Sequence, residues 1–83
     1  MSAPQEITVK FFALLREQAG CRELKISTSA PTPAALYLEL CASHALKLPP
    51  NLLTYAINER YVRADDLLFA GDRVAFIPPV AGG

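Results

Sequence analysis

The chain has no excess of either charge: eight basic and eight acidic residues cancel over 83 positions. It has no basic run of the kind that tracks a phosphate backbone, which disfavours nucleic acid as a partner. No apolar run approaches the ~18 residues that a membrane span requires. Met1 to Glu6 lacks the basic segment and apolar stretch of a secretory signal. These absences point to a cytoplasmic protein that meets neither membrane nor nucleic acid. Cysteine is scarce: Cys21 and Cys41 fit no metal-ligand spacing, so no metal site is expected. Nothing demands a disulfide between them, and both are expected as reduced thiols.

What is present is apolar. Hydrophobic residues make up 52% of the sequence. A single domain of this size buries only about 60–65% of its unfolded surface, so its core is thin. Part of the apolar surface is left outside, where exposed apolar area usually meets a partner.

The periodicities are clear. Residues 6–12 alternate, with Ile7, Val9 and Phe11 on one side and Thr8 and Lys10 on the other, which predicts a half-buried strand. Ala13–Ala19 is a short helix stopped by Gly20. Glu23–Thr28 alternates again with Leu24 and Ile26 inward, and pairs with the first strand as a wide hairpin. Thr32 caps the main helix and Pro33 takes its first position. That helix is expected to run to about Leu46, with Pro33, Leu36 and Leu40 as its core stripe and Leu38 off it. Pro49-Pro50 breaks the pattern. Thr54–Asn58 and Tyr61–Arg63 read as short strands around Asn58-Glu59-Arg60. Ala70-Gly71-Asp72 is a turn into a last strand, Arg73–Ile77, whose Val74 and Phe76 oppose Ala75 and Ile77. The order implies an α+β fold, one main helix packed on a mixed sheet, with residues 1–77 as a single domain and 78–83 as a flexible tail.

That tail carries the strongest functional signal. Two of the four glycines stand last. At ordinary usage such a pair ends a chain by chance about once in 200 sequences. Pro78 and Pro79 cannot donate ladder hydrogen bonds, so the sheet stops there and the exit is stiff and extended. The six residues from Pro78 to Gly83 reach about 20 Å when extended. Ala81, Gly82 and Gly83 are thin enough for a narrow channel, and the glycines let another protein close tightly round a bare carboxylate. A carboxylate reacts only once activated, typically by adenylation with ATP, after which it accepts an amine or a sulfur. An inert, frayed terminus is the plainer alternative.

Two other constellations are weaker. Cys41 and His44 are one helical turn apart, yet no third group orients them as a nucleophilic pair. Asp65-Asp66 reads as a turn rather than a metal site.

Phe11-Phe12-Ala13-Leu14-Leu15-Arg16-Glu17-Gln18-Ala19-Gly20 and Gly71 to Gly83 together resemble the opening and closing blocks of the small subunits of molybdopterin synthase. Thr32-Pro33 and Ala56-Ile57-Asn58 fall at matching places, and the likeness runs from about Val9 to Gly83. It implies a ubiquitin-like β-grasp. It implies that Gly83 is adenylated by a ubiquitin-activating-type adenylyltransferase, which consumes ATP, and is converted to a thiocarboxylate. The tail, Val80 and Ala81 included, then enters the large synthase subunit. There the sulfur passes to cyclic pyranopterin monophosphate, and two deliveries build the molybdopterin dithiolene. Gly83 is then the carrier and Gly82 a steric requirement, with no bound cofactor. The catalytic residues belong to the large subunit, and the assembly is a hetero-oligomer, a heterotetramer. Ile77 and Tyr61 are expected on the docking face, Arg16 where the family has a basic contact, and Pro78 and Pro79 at the base of the inserted tail. Rival readings are a thiamine-type sulfur carrier, a modifier conjugated to lysines through Gly83, and a binding module with an inert tail.

Overall fold

The computed structural model describes residues 4–79. In chain order the elements are β1 (Gln5–Phe11), α1 (Ala13–Ala19), β2 (Glu23–Thr28), α2 (Pro33–His44), a 3-10 turn (Pro50–Leu52), β3 (Thr54–Ile57), β4 (Arg60–Val62) and β5 (Arg73–Ile77). The five strands form one sheet in the order β2-β1-β5-β3-β4. β1 and β5 run parallel, and every other pair is antiparallel. First and last strands side by side at the middle, with the main helix across one face, is the ubiquitin-like β-grasp that the family resemblance implied.

Alternation sets the two faces. Ile7, Val9 and Phe11 of β1 and Val74 and Phe76 of β5 are all at most 2% exposed. α2 lays Pro33, Leu36, Tyr37 and Leu40 over them. Phe76 is the hub. Its ring centroid lies 5.2 Å from that of Tyr37, 5.8 Å from Tyr55 and 6.3 Å from Phe11, the first two edge-on. Such pairs add about 0.5–1.5 kcal/mol each beyond the area they bury. Tyr37 is absent from the expected stripe. It is tolerated at zero exposure because its hydroxyl donates to the Leu48 carbonyl at 2.7 Å.

Two of the helix ends behave as their residues dictate. The Thr32 hydroxyl accepts from the Ala35 N–H at 3.2 Å. Gly20 closes α1 in the left-handed conformation, φ 80°, its N–H donating to the Arg16 carbonyl. α2 stops at His44, two residues before the expected Leu46, because Ala45 turns left-handed at φ 56°. That turn sends Leu46 back into the core, where it is 5% exposed. The strand bounds shift similarly. β1 spans Gln5–Phe11 rather than residues 6–12, leaving Phe12 outside the ladder. β3 ends at Ile57 and β4 begins at Arg60, since Asn58 and Glu59 alone make the turn, both at positive φ.

Candidate protein-docking face beside the tail

The face of the sheet opposite α2 has no covering element among the described residues. Its composition follows from register. Lys10 of β1 lies opposite Ala75 of β5, Ala75 opposite Ala56 of β3, and Ala56 opposite Tyr61 of β4. Two alanines therefore sit between a lysine and a tyrosine, and the short side chains leave a trough. Ile77 lies two residues beyond Ala75, on the same face, and Phe12 follows the end of β1. The result is a hollow of about 270 Å³ whose lining includes Phe12, Tyr61, Ala75 and Ile77, with Lys10, Arg73 and Glu59 among its charged members. Tyr61 is 79% exposed and Phe12 45%, while Ile77 is half-buried. An apolar floor inside a charged rim is the usual anatomy of a protein interface.

A hydrogen-bonded brace holds the Tyr61 hairpin against β5. The Asn58 amide donates to Asp72 Oδ1 at 3.0 Å, and its carbonyl oxygen accepts from the Arg73 N–H at 3.0 Å. The Asn58 N–H donates to the Arg73 carbonyl at 2.8 Å, and Asp72 Oδ2 accepts from the Phe69 N–H at 2.8 Å. The left-handed φ of 52° at Asn58 aims its side chain back at the loop before β5.

The expected site residues fall as follows. Ile77 and Tyr61 line the same hollow. Arg16 is exposed on α1 and lines a neighbouring hollow that shares Lys10 and Phe12 with the first. Pro78 is buried and Pro79 exposed, immediately after β5. Val80, Ala81, Gly82 and Gly83 lie outside the described residues. Phe12, Lys10, Arg73 and the Asn58 brace were not anticipated as site residues. Strand alternation marks Lys10 as opposite in phase to Val9, and that signal was available in the sequence.

The weaker constellations resolve into structure. His44 Nδ1 pairs with the Ser43 hydroxyl at 2.7 Å, and Cys41 lies beside Tyr37. Burial pushes the Tyr37 phenol well above its usual range, with Cys41 as a lesser cause; burial moves Tyr55 the same way. Cys21 and Cys41 are both free and half-buried. Asp66 Oδ2 accepts from the Arg63 N–H at 2.8 Å, closing a turn. Among the described residues no group of three or more His, Cys, Asp or Glu could hold a metal ion. No helix there is long and apolar enough to cross a membrane.

A profile of the ThiS family matches residues 9–83. The chain belongs to the ThiS family. It is 40% identical over 80 residues to the molybdopterin synthase sulfur carrier subunit of Escherichia coli, covering 93% of this chain and 99% of that protein. It is 38% identical over 82 residues to the subunit of the same name from Chlamydomonas reinhardtii, covering 94% and 99%. Among solved structures, small archaeal modifier protein 1 of Methanosarcina acetivorans superposes with a TM-score of 0.77 at 26% identity, covering 99% of this chain and 100% of that one. The ThiS match begins inside β1, so the hollow and its lining lie within the part the family shares.

Proposed function

We propose that this ThiS-family chain is the sulfur carrier of molybdopterin synthase, acting in the cytoplasm. The observation that carries the reading is the match, across nearly the whole of both chains, to relatives named for that role. The geometry supports it. β5 runs out beside an apolar hollow, so a protein seated on that hollow stands where the tail begins.

In this reading Gly83 is adenylated at the expense of ATP by a ubiquitin-activating-type adenylyltransferase. Sulfur then replaces the activated oxygen, giving a thiocarboxylate. The large synthase subunit binds the Ile77–Tyr61 face and takes Val80 to Gly83 into its active site. The sulfur passes there to cyclic pyranopterin monophosphate, and two such transfers complete the dithiolene. This chain supplies the sulfur and the docking surface, and the large subunit supplies the catalytic groups. Gly82 keeps the last backbone segment narrow. No bound cofactor enters the scheme.

A second reading has a specific observation in its favour, because the archaeal neighbour is named a modifier protein. The two differ in where the C-terminus ends up. The test incubates the chain with the adenylyltransferase, ATP and a sulfur donor, then with the large subunit and cyclic pyranopterin monophosphate. Replacement of one terminal oxygen by sulfur, read by intact mass, followed by molybdopterin formation, supports the carrier. Isopeptide-linked conjugates without molybdopterin support the modifier. An unchanged mass, while the enzyme's own carrier is converted, removes both.

A further inference from the structure

β1 and β5 are parallel with Phe11 opposite Phe76, so their C-terminal ends lie side by side. On the β2 side of that point is a second hollow, of about 350 Å³, lined by Lys10, Phe11, Phe12, Arg16, Arg22 and Glu23. Three cations face one carboxylate, in a chain whose total charge is zero. Lys10 stands directly opposite Glu23 in the β1–β2 register, so the one carboxylate offsets one of the three cations. Arg16 and Arg22, both exposed, remain as the excess. Arg22 is held in place by its backbone: its carbonyl accepts from the Phe11 N–H at 3.0 Å, fixing the turn over the end of β1. This hollow shares Lys10 and Phe12 with the apolar one, so the two are parts of a single surface.

We infer that the Arg16–Arg22 hollow is the electrostatic half of the docking face, and that it receives carboxylate side chains of the protein that takes the tail. The inference rests on the docking reading above and adds the chemistry of the partner. Guanidinium groups present paired N–H donors that match a carboxylate fork, and two of them at the edge of an apolar floor select an acidic segment beside an apolar one. Arg22 is the new assignment. It belongs to neither strand nor helix, and no periodicity in the sequence singles it out.

The test measures affinity of the full chain for the molybdopterin synthase large subunit of the same organism, at low and at high ionic strength. The chains compared are the unmodified one, Arg22→Glu, Arg22→Lys and Lys47→Glu. Lys47 follows α2 and lines neither hollow, and its replacement by Glu makes the same charge change outside both. Arg22→Glu is expected to bind about tenfold more weakly at low salt, mostly through slower association. The gap should narrow as salt rises, because exposed pairs are screened beyond about 8–10 Å at physiological strength. Arg22→Lys should fall between Arg22→Glu and the unmodified chain, since it keeps the charge and loses the paired N–H donors, and Lys47→Glu should keep all of the affinity. Melting temperatures should be alike, since Arg22 is exposed. Equal affinity and equal salt dependence for Arg22→Glu and the unmodified chain would overturn the inference while leaving the carrier reading intact. So would equal losses in Arg22→Glu and Lys47→Glu, which would reduce the effect to net charge. Failure of the unmodified chain to bind the large subunit would overturn the carrier reading and this inference with it.

Discussion

Phe76 and Ile77 are adjacent in the chain and serve opposite faces. Phe76 is fully buried among three aromatic rings, and Ile77 stands half-buried in the hollow of the open sheet face. Ile77→Lys is therefore expected to cost the isolated domain only a few degrees of melting temperature, since the new side chain can extend into water. Affinity for the large subunit should fall at least tenfold, because the charge would be buried unpaired against an apolar surface. Calorimetric titration beside thermal melting separates the two effects. A large loss of melting temperature would instead put Ile77 in the core. Tyr37 shows what alternation could not reveal. A stripe of Pro33, Leu36 and Leu40 is legible as spacing, but the partner that lets a tyrosine join it is a carbonyl eleven residues away at Leu48. Burial raises the Tyr37 phenol above its unfolded value near 10, and Tyr55 moves in the same direction. The folded state thus holds those protons more tightly than the unfolded state. The stability they contribute is complete below about pH 10 and is lost as pH climbs from there through the folded-state values. Tyr37→Phe should lower stability at pH 7 by about 1 kcal/mol through the lost hydrogen bond. It should also flatten the alkaline decline, though not abolish it while Tyr55 remains. Urea midpoints measured from pH 8 to 11 give both quantities.

The elements themselves were largely written in local patterns, and their ends were not. Alternation fixed the inward phases of β1, β2 and β5, and Thr32-Pro33 fixed the start of α2. The end of α2 is not legible by residue type, because Ala45 carries no sign of its left-handed conformation; glycine is the residue that ordinarily marks such a position. Ala45→Gly should consequently stabilise the domain by about 0.5–1 kcal/mol, as relief of the left-handed strain outweighs the added freedom of the unfolded chain. For a domain of this size that is a rise of a few degrees in melting temperature. A fall would mean that the helix continues through Ala45 in solution. The hairpin between β3 and β4 was visible from Asn58, but its purpose was not. The brace from Asn58 to Asp72 and Arg73 joins residues 14 and 15 positions apart, and no local window contains both halves. The hollow on the open sheet face has the same character. Each of its residues is unremarkable in sequence, and only the row Lys10–Ala75–Ala56–Tyr61, set by three strand pairings, brings them together.

At the scale of the whole molecule, the parallel pairing of β1 with β5 joins the two sequence blocks that carry the family likeness. Phe11 to Gly20 and the residues after Gly71 are far apart in the chain, yet they meet at one end of the sheet, where the tail begins. The architecture separates a closed core from the chemistry proposed for it. The aromatic hub, the caps and the five strands are complete by Ile77, and beyond it Pro78 is the one buried position among the described residues. Removing Gly83 should therefore leave the melting temperature of the domain unchanged and abolish sulfur transfer. Gly82→Val makes a finer test. It keeps the terminal carboxylate and adds a β-branched side chain, which restricts the local backbone and widens the segment. The variant should fold as the unmodified chain does and bind the large subunit through Ile77, Tyr61 and Arg16. Transfer from a preformed thiocarboxylate, measured as molybdopterin formed per carrier in a single turnover, should nevertheless fall at least tenfold. Undiminished transfer by Gly82→Val, with none from the chain lacking Gly83, would keep the carrier and discard the narrow channel. Full activity in both would show that the sulfur does not travel on this tail.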